Sequence, residues 1–275
     1  MSVSRLTVAI SVAAGLAILF LANESPSVEK NTAEPISPPE NMVWIEGGTF
    51  SMGLENGDAD EKPVHQVTVS GFYMDRTEVT NEQYDACVQA GKCLPAHYDD
   101  SSAYVRLKGS KWKKGRVGKE FRGPRQPVVA VTWKQAKTYC RWRGGRLPTE
   151  AEWEYACRKG QTTENSWNFD SYGEYAWYSD NSKNRTHPVG QKKPNNCGLY
   201  DMTGNVWEWC RDWYGEYYYR GSPSQNPPGP DSGNCRVLRG SSWNLSGNRL
   251  RCTYRYRHDP DFRNDLLGFR CVRPR

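Results

Sequence analysis

Nine cysteines, at positions 87, 93, 140, 157, 197, 210, 235, 252 and 271, constrain this 275-residue chain more than any other feature. None forms a CxxC pair, and the four histidines (65, 97, 187 and 258) are scattered. Zinc sites use Cys and His at short paired spacings, so this pattern points to disulfides instead. Disulfides call for an oxidising compartment, and the N-terminus agrees. One arginine precedes the uncharged run Leu6–Ala22, 17 residues that are long for a signal core and short for a comfortable membrane span. Residues 1–22 are read as an export signal, either cleaved or retained as a membrane anchor, which places the chain in a periplasm or outside the cell. Residues 23–41 are polar and proline-rich, a tether unable to bury enough apolar surface to order itself. The folded unit then spans 42–275. Because nine is odd, at least one thiol is free or pairs between chains.

Composition narrows the fold class. There are 11 Trp and 16 Tyr, with 25 Gly and 17 Pro, which favours a loop-rich domain cored by aromatic rings over a helical bundle. "VWIEGGTFSMG" and "HQVTVSGFYMD" each read as a strand. Three helices follow, each opened by a capping box: Thr80 with Gln83, Thr132 with Gln135, and Thr149 with Glu152. Gly91, Gly144 and Gly160 stand where these helices should stop. The second helix places Trp133, Ala136 and Cys140 on one face, and the third does so with Trp153, Ala156 and Cys157, so each turns a cysteine inward. Beyond Gly160 the chain lacks helical period. Helices early, short strands late and no βαβ alternation imply α+β.

A net charge of +6 is mild and excludes a dedicated nucleic-acid binder. The charge is concentrated: Arg106 to Arg125 carries nine Lys or Arg against one Glu. This stretch is either a solvated surface loop or a docking patch for an acidic partner, to which Trp112 and Phe121 would add stacking contacts.

"GRLPTEAEWEYACR" (145–158), "NNCGLYDMTGNVWEWCRDWY" (195–214), "RVLRGSSW" (236–243) and "LGFRC" (267–271), in this order and behind "MVWIEGGTFSMG", resemble the formylglycine-generating enzyme family, also called the sulfatase-modifying-factor domain. The resemblance covers Met42 to Arg273 and implies that family's variant of the C-type-lectin fold. Fully active members oxidise a sulfatase cysteine to formylglycine with O2, using a copper ion held by two soft thiolates. Here Leu245 stands where the first thiolate belongs, and the second position falls near, but not at, Cys252. Copper is therefore not expected. The resemblance further implies that Cys140 pairs with Cys271 and that Cys157 pairs with a C-terminal cysteine, for which Cys252 is the substitute; a catalytic thiol is the competing role for Cys252. Cys87 with Cys93 requires Gly91 to turn the chain between them, and Cys210 with Cys235 would leave Cys197 single.

Two further sites follow from the same resemblance. The turn "DMTGNVWEW" matches a calcium site, with the Asp201 and Glu208 carboxylates and the Gly204 and Val206 carbonyls as hard oxygen ligands. Ser242 and Trp243, with Trp207 nearby, match positions lining the family's substrate groove, and Arg255 and Arg257 are candidates to meet a bound peptide or small ligand. The implied role is an exported binding or accessory module without the copper thiolates; the alternative is a divergent oxidoreductase that uses O2.

Overall fold

The computed structural model describes Met1 and residues 40–106, 111–159 and 172–275. The chain divides into two units, Met1–Ser37 and Pro38–Arg275, and the elements below belong to the second. The export signal, nearly all of the tether and Gly160 lie outside the described residues. Among the described residues no helix is long and apolar enough to cross a membrane.

The first two expected strands each break in two. The first becomes β1 (Met42–Ile45) and β2 (Gly48–Met52), and the second β3 (His65–Val69) and β4 (Phe72–Asp75). Strand β1 pairs with β4 and β2 with β3, so the two breaks lie side by side. A Cβ on Gly47 would stand 2.6 Å from the Gly71 nitrogen. Only glycine lets the two backbones pass this closely.

Helices α1 (Asn81–Gln89), α2 (Trp133–Trp142) and α3 (Glu150–Arg158) all begin at their capping boxes. Gly91 and Gly144 lie just past the first two, at φ +68° and +75°. Between α1 and α2 runs the hairpin β5 (Ala103–Arg106) and β6 (Trp112–Gly115). A single turn, α4 (Tyr172–Tyr175), is the one α-helical element past α3 among the described residues, in a stretch that lacks helical period. The C-terminal half supplies β7 (Trp207–Trp213), β8 (Arg236–Arg239), β9 (Tyr256–His258), β10 (Leu267–Gly268) and β11 (Val272–Pro274). They build a four-stranded sheet ordered β10-β7-β8-β9, while β11 returns to join β1 and β4. The architecture is α+β, and its core is aromatic: Trp153, Trp209, Trp243, Tyr84, Tyr139, Phe72 and Phe269 are among the largest fully buried side chains.

Helix α3 departs from the amphipathic pattern. Every residue from Glu150 to Cys157 is buried, including three glutamates. Each is met by arginine: Glu150 by Arg255 at 2.7 Å, Glu152 by Arg146 at 2.6 Å, and Glu154 by Arg158 at 2.9 Å and by Arg239. The helix is sunk into the protein because its charges are neutralised there.

Three disulfides form: Cys87–Cys93, Cys140–Cys271 and Cys157–Cys252. The chain turn at Gly91 brings the first pair to a Cα separation of 5.3 Å. The expected Cys210–Cys235 bond does not form, and both thiols are free, as is Cys197. The Tyr214 amide donates to the Cys235 carbonyl, so Cys235 faces a position four residues along β7 from Cys210. At about 3.3 Å per residue this leaves roughly 13 Å between them, twice the reach of a disulfide. Burial raises the Cys197 thiol and pushes Cys210 well above the ordinary range, so neither is a ready nucleophile. Alkylating the unfolded, unreduced protein should label three thiols, Cys197, Cys210 and Cys235, and mass spectrometry showing one instead would restore the Cys210–Cys235 bond.

Candidate functional site

A cavity of about 710 Å³ opens between β9, the loop after β8 and the β5–β6 hairpin. Its floor is aromatic. Trp207, at the start of β7, stacks on Tyr256 at 5.2 Å and packs against Tyr254 at 5.7 Å. Across the cavity Phe262 stacks on Tyr104 at 5.0 Å and on His258 at 3.3 Å. Burial pushes His258 down to about 4, so its imidazole is neutral near pH 7. Asn244, Asn264 and Arg249 provide polar groups around these rings. Trp112 belongs to the same lining, which makes the basic hairpin a wall of the groove; residues 107–110 of that stretch are outside the described residues.

Strand alternation decides which side chains reach this groove. Along "YRYRH" successive residues point to opposite faces. Tyr254, Tyr256 and His258 line the cavity. Arg255 and Arg257 take the other side and do not line it, contrary to the expectation for a peptide contact. Arg255 is buried, with its Nε and Nη2 donating to Glu150 at 2.7 and 2.9 Å. Arg257 is exposed and covers the Tyr214 ring at 4.4 Å. The alternation of Tyr with Arg was itself the signal that separates the two sets.

Ser242 and Trp243 also sit behind the lining. Ser242 is fully buried and donates to Asn244 Oδ1 at 2.8 Å. Trp243 packs in the main core, its Nε1 donating to the Asp265 carbonyl at 3.0 Å. Of the five residues expected at the groove, Trp207 alone lines it; Leu245, at the first thiolate position, lines it too, as does Tyr256, which the family motif did not mark. Cys252 is bonded to Cys157, fully buried, and has no thiol to offer as a nucleophile. Leu245 and a bridged Cys252 cannot form a two-thiolate copper site, so the residues present do not fit that ion.

The turn after Asp201 holds a buried acidic cluster. Glu208 takes Arg270 Nε on one oxygen at 2.7 Å and Nη2 on the other at 2.8 Å, and its Oε2 also accepts from Trp153 Nε1 at 2.8 Å. Glu78 accepts the Val206 amide and the Asn205 side chain; burial, with Asp201 and Glu208 adding to it, raises its pKa well above the usual range. Asp201 Oδ2 accepts from the Gly190 amide at 2.8 Å, whereas the buried Oδ1 has no partner. Among the described residues no three Asp, Glu, His or Cys side chains converge as a metal cage. The donor set expected for calcium is thus open at Asp201 and committed to Arg270 at Glu208.

Comparison with known proteins places this geometry. A family model described as the Sulfatase-modifying factor enzyme 1-like domain matches residues 27–275. The serine/threonine-protein kinase Pkn1 of Chlamydia trachomatis serovar L2 is 39% identical over 257 residues, covering 90% of this chain but 40% of the kinase. The chain therefore spans less than half the length of that relative. The formylglycine-generating enzyme of Streptomyces coelicolor is 36% identical over 277 residues, covering 84% of this chain and 88% of the enzyme. Among solved structures, PvdO from Pseudomonas aeruginosa aligns with a TM-score of 0.72 at 31% identity, covering 85% of this chain and 94% of that one.

Next to the groove, burial lifts Asp265 to about 6, and its Oδ1 has no partner. The folded protein thus keeps this proton up to about pH 6, whereas the unfolded chain releases it near 4. Between those values the folded state binds more protons, so stability falls as pH rises. Asp265→Asn should flatten that part of the profile by up to about 3 kcal/mol in urea unfolding between pH 4 and 7. Parallel profiles for the two proteins would refute the assignment.

Proposed function

The chain belongs to the sulfatase-modifying factor family, and from that premise we propose that it is an exported member that binds an extended peptide without oxidising it. One observation carries the reading: an aromatic groove is present, and an aliphatic side chain in its lining, Leu245, occupies the place where family chemistry requires sulfur. Export is supported by three disulfides, which persist in oxidising compartments.

The groove's chemistry suits a peptide strand. Stacked rings offer broad apolar contact at small entropic cost, because each aromatic side chain has few torsions to freeze. Tyr256 and Trp112 remain 44% and 41% exposed, ready to be covered. Arg249 lies at the groove with its guanidinium on the Tyr254 hydroxyl and forms no carboxylate ion pair among the described residues, so it suits a peptide carboxylate. Lys114 of β6 stands 5.6 Å from the ring of the groove-lining Tyr104, which favours an acidic ligand or partner.

The acidic turn enters this proposal as a structural support. Glu78, Asp201 and Glu208 share one buried guanidinium, Arg270, and burial raises Glu78 and Asp201 above the usual carboxylate range, so further positive charge would favour their ionised forms. A calcium ion held by Asp201 and the Gly204 and Val206 carbonyls would supply that positive charge and order the loop. Glu208 is a poor test residue, because removing it strands Arg270 in the core.

With O2 and copper(I), a sulfatase-derived peptide should remain unmodified by mass spectrometry while still binding, and Tyr256→Ala should weaken that binding about tenfold. Appearance of the aldehyde product would favour the divergent oxidoreductase instead. Added calcium should raise the melting temperature of the wild type by several degrees and that of Asp201→Asn hardly at all. Equal gains would remove calcium from this turn.

A further inference from the structure

A second cavity, of about 420 Å³, shares no lining residue with the groove. It is bounded by α2, the end of β7, the 228–231 loop and the start of β8. Trp133, Lys137 and Arg141 follow one another at i, i+4 and i+8 along one face of α2. The Arg236 guanidinium is held between two indoles, 3.3 Å from the Trp213 ring and 3.8 Å from Trp133, and its Nη1 donates to the Arg211 carbonyl at 2.7 Å. Lys137 covers Trp133 at 4.8 Å.

These cations lack the partners that other arginines here possess. Arg146, on the rim, is satisfied by Glu152. Lys137, Arg141, Arg211 and Arg236 form no ion pair among the described residues, and the lining supplies one carboxylate, the exposed Asp231. Asp212 lies behind Arg236, buried, with one oxygen on the Glu150 amide at 3.0 Å. Burial lowers Lys137, helped by Arg141, Arg236 and Arg211, and burial with Arg211 pushes Arg236 down to about 10. Four like charges converging on one concave site oppose folding; the two indoles favour Arg236, but among the described residues no such contact accounts for Arg141 and Arg211.

We propose that this cavity binds a phosphate monoester carried on a small organic group, such as a sugar phosphate. Guanidinium forks match tetrahedral oxyanions, and a dianion answers several unpaired cations better than a single carboxylate does. Pro228, Pro230 and Leu147 provide apolar surface for the organic portion, and the volume suits a ligand of this size.

Isothermal titration at low salt with glucose 6-phosphate, glucose, glucuronate and inorganic phosphate tests this. Glucose 6-phosphate should bind, glucose should not, and glucuronate and inorganic phosphate should bind at least tenfold more weakly. Arg141 and Arg211 are exposed, so Arg141→Ala with Arg211→Ala should weaken glucose 6-phosphate at least thirtyfold and leave the melting temperature of the free protein equal or higher. Three results would overturn the proposal: equal binding of inorganic phosphate, a fall of several degrees in the variant's melting temperature, or binding confined to vesicles containing phosphatidic acid.

Discussion

The structure depends on arginine clamps closing over buried carboxylates. Helix α3 carries Glu150, Glu152 and Glu154 into the interior, and Glu208 follows on β7. An unpaired buried carboxylate costs several kcal/mol, so each must be met by a cation. Burial opposes ionisation of Glu150, yet Arg255 and Arg239 together bring its pKa below the ordinary value. Arg239, Arg255 and Arg270 all come from the last forty residues or so, which means that the C-terminal segment and the central helix can each be buried only with the other.

Disulfides fasten the same connection. Cys140 and Cys157, on α2 and α3, bond to Cys271 and Cys252, so both helices are tied covalently to the segment that clamps them. The stretch Tyr254–His258, which ends in β9, then works on two sides. One side sends Arg255 to Glu150, and the other presents Tyr254, Tyr256 and His258 to the groove. The buried Arg255–Glu150 pair fixes this segment from behind, which helps to hold the aromatic face in place.

The two populations of arginine therefore differ in meaning. Those with glutamate partners are architecture. Arg141, Arg211 and Arg236, gathered beside Trp133 and Trp213, form no ion pair among the described residues and outnumber the carboxylates near them. Their type and number in the sequence are alike; what separates them is which carboxylates stand within reach.

Signals confined to a few neighbouring residues were legible from the sequence alone. Thr80, Thr132 and Thr149 with their third-residue partners set the helix starts, because a capping box closes within four residues and needs no distant support. Gly91 and Gly144 marked the stops for the same reason. The long motifs were enough to indicate the family, and with it the fold. Sequence could not show that β7 and β8 set Cys210 apart from Cys235, that Trp243 and Ser242 sit beneath the groove, or that Arg255 turns from it toward Glu150. Those outcomes depend on strand register and on pairing across more than a hundred residues of chain between Glu150 and Arg255, and such distances are set only when the whole core closes.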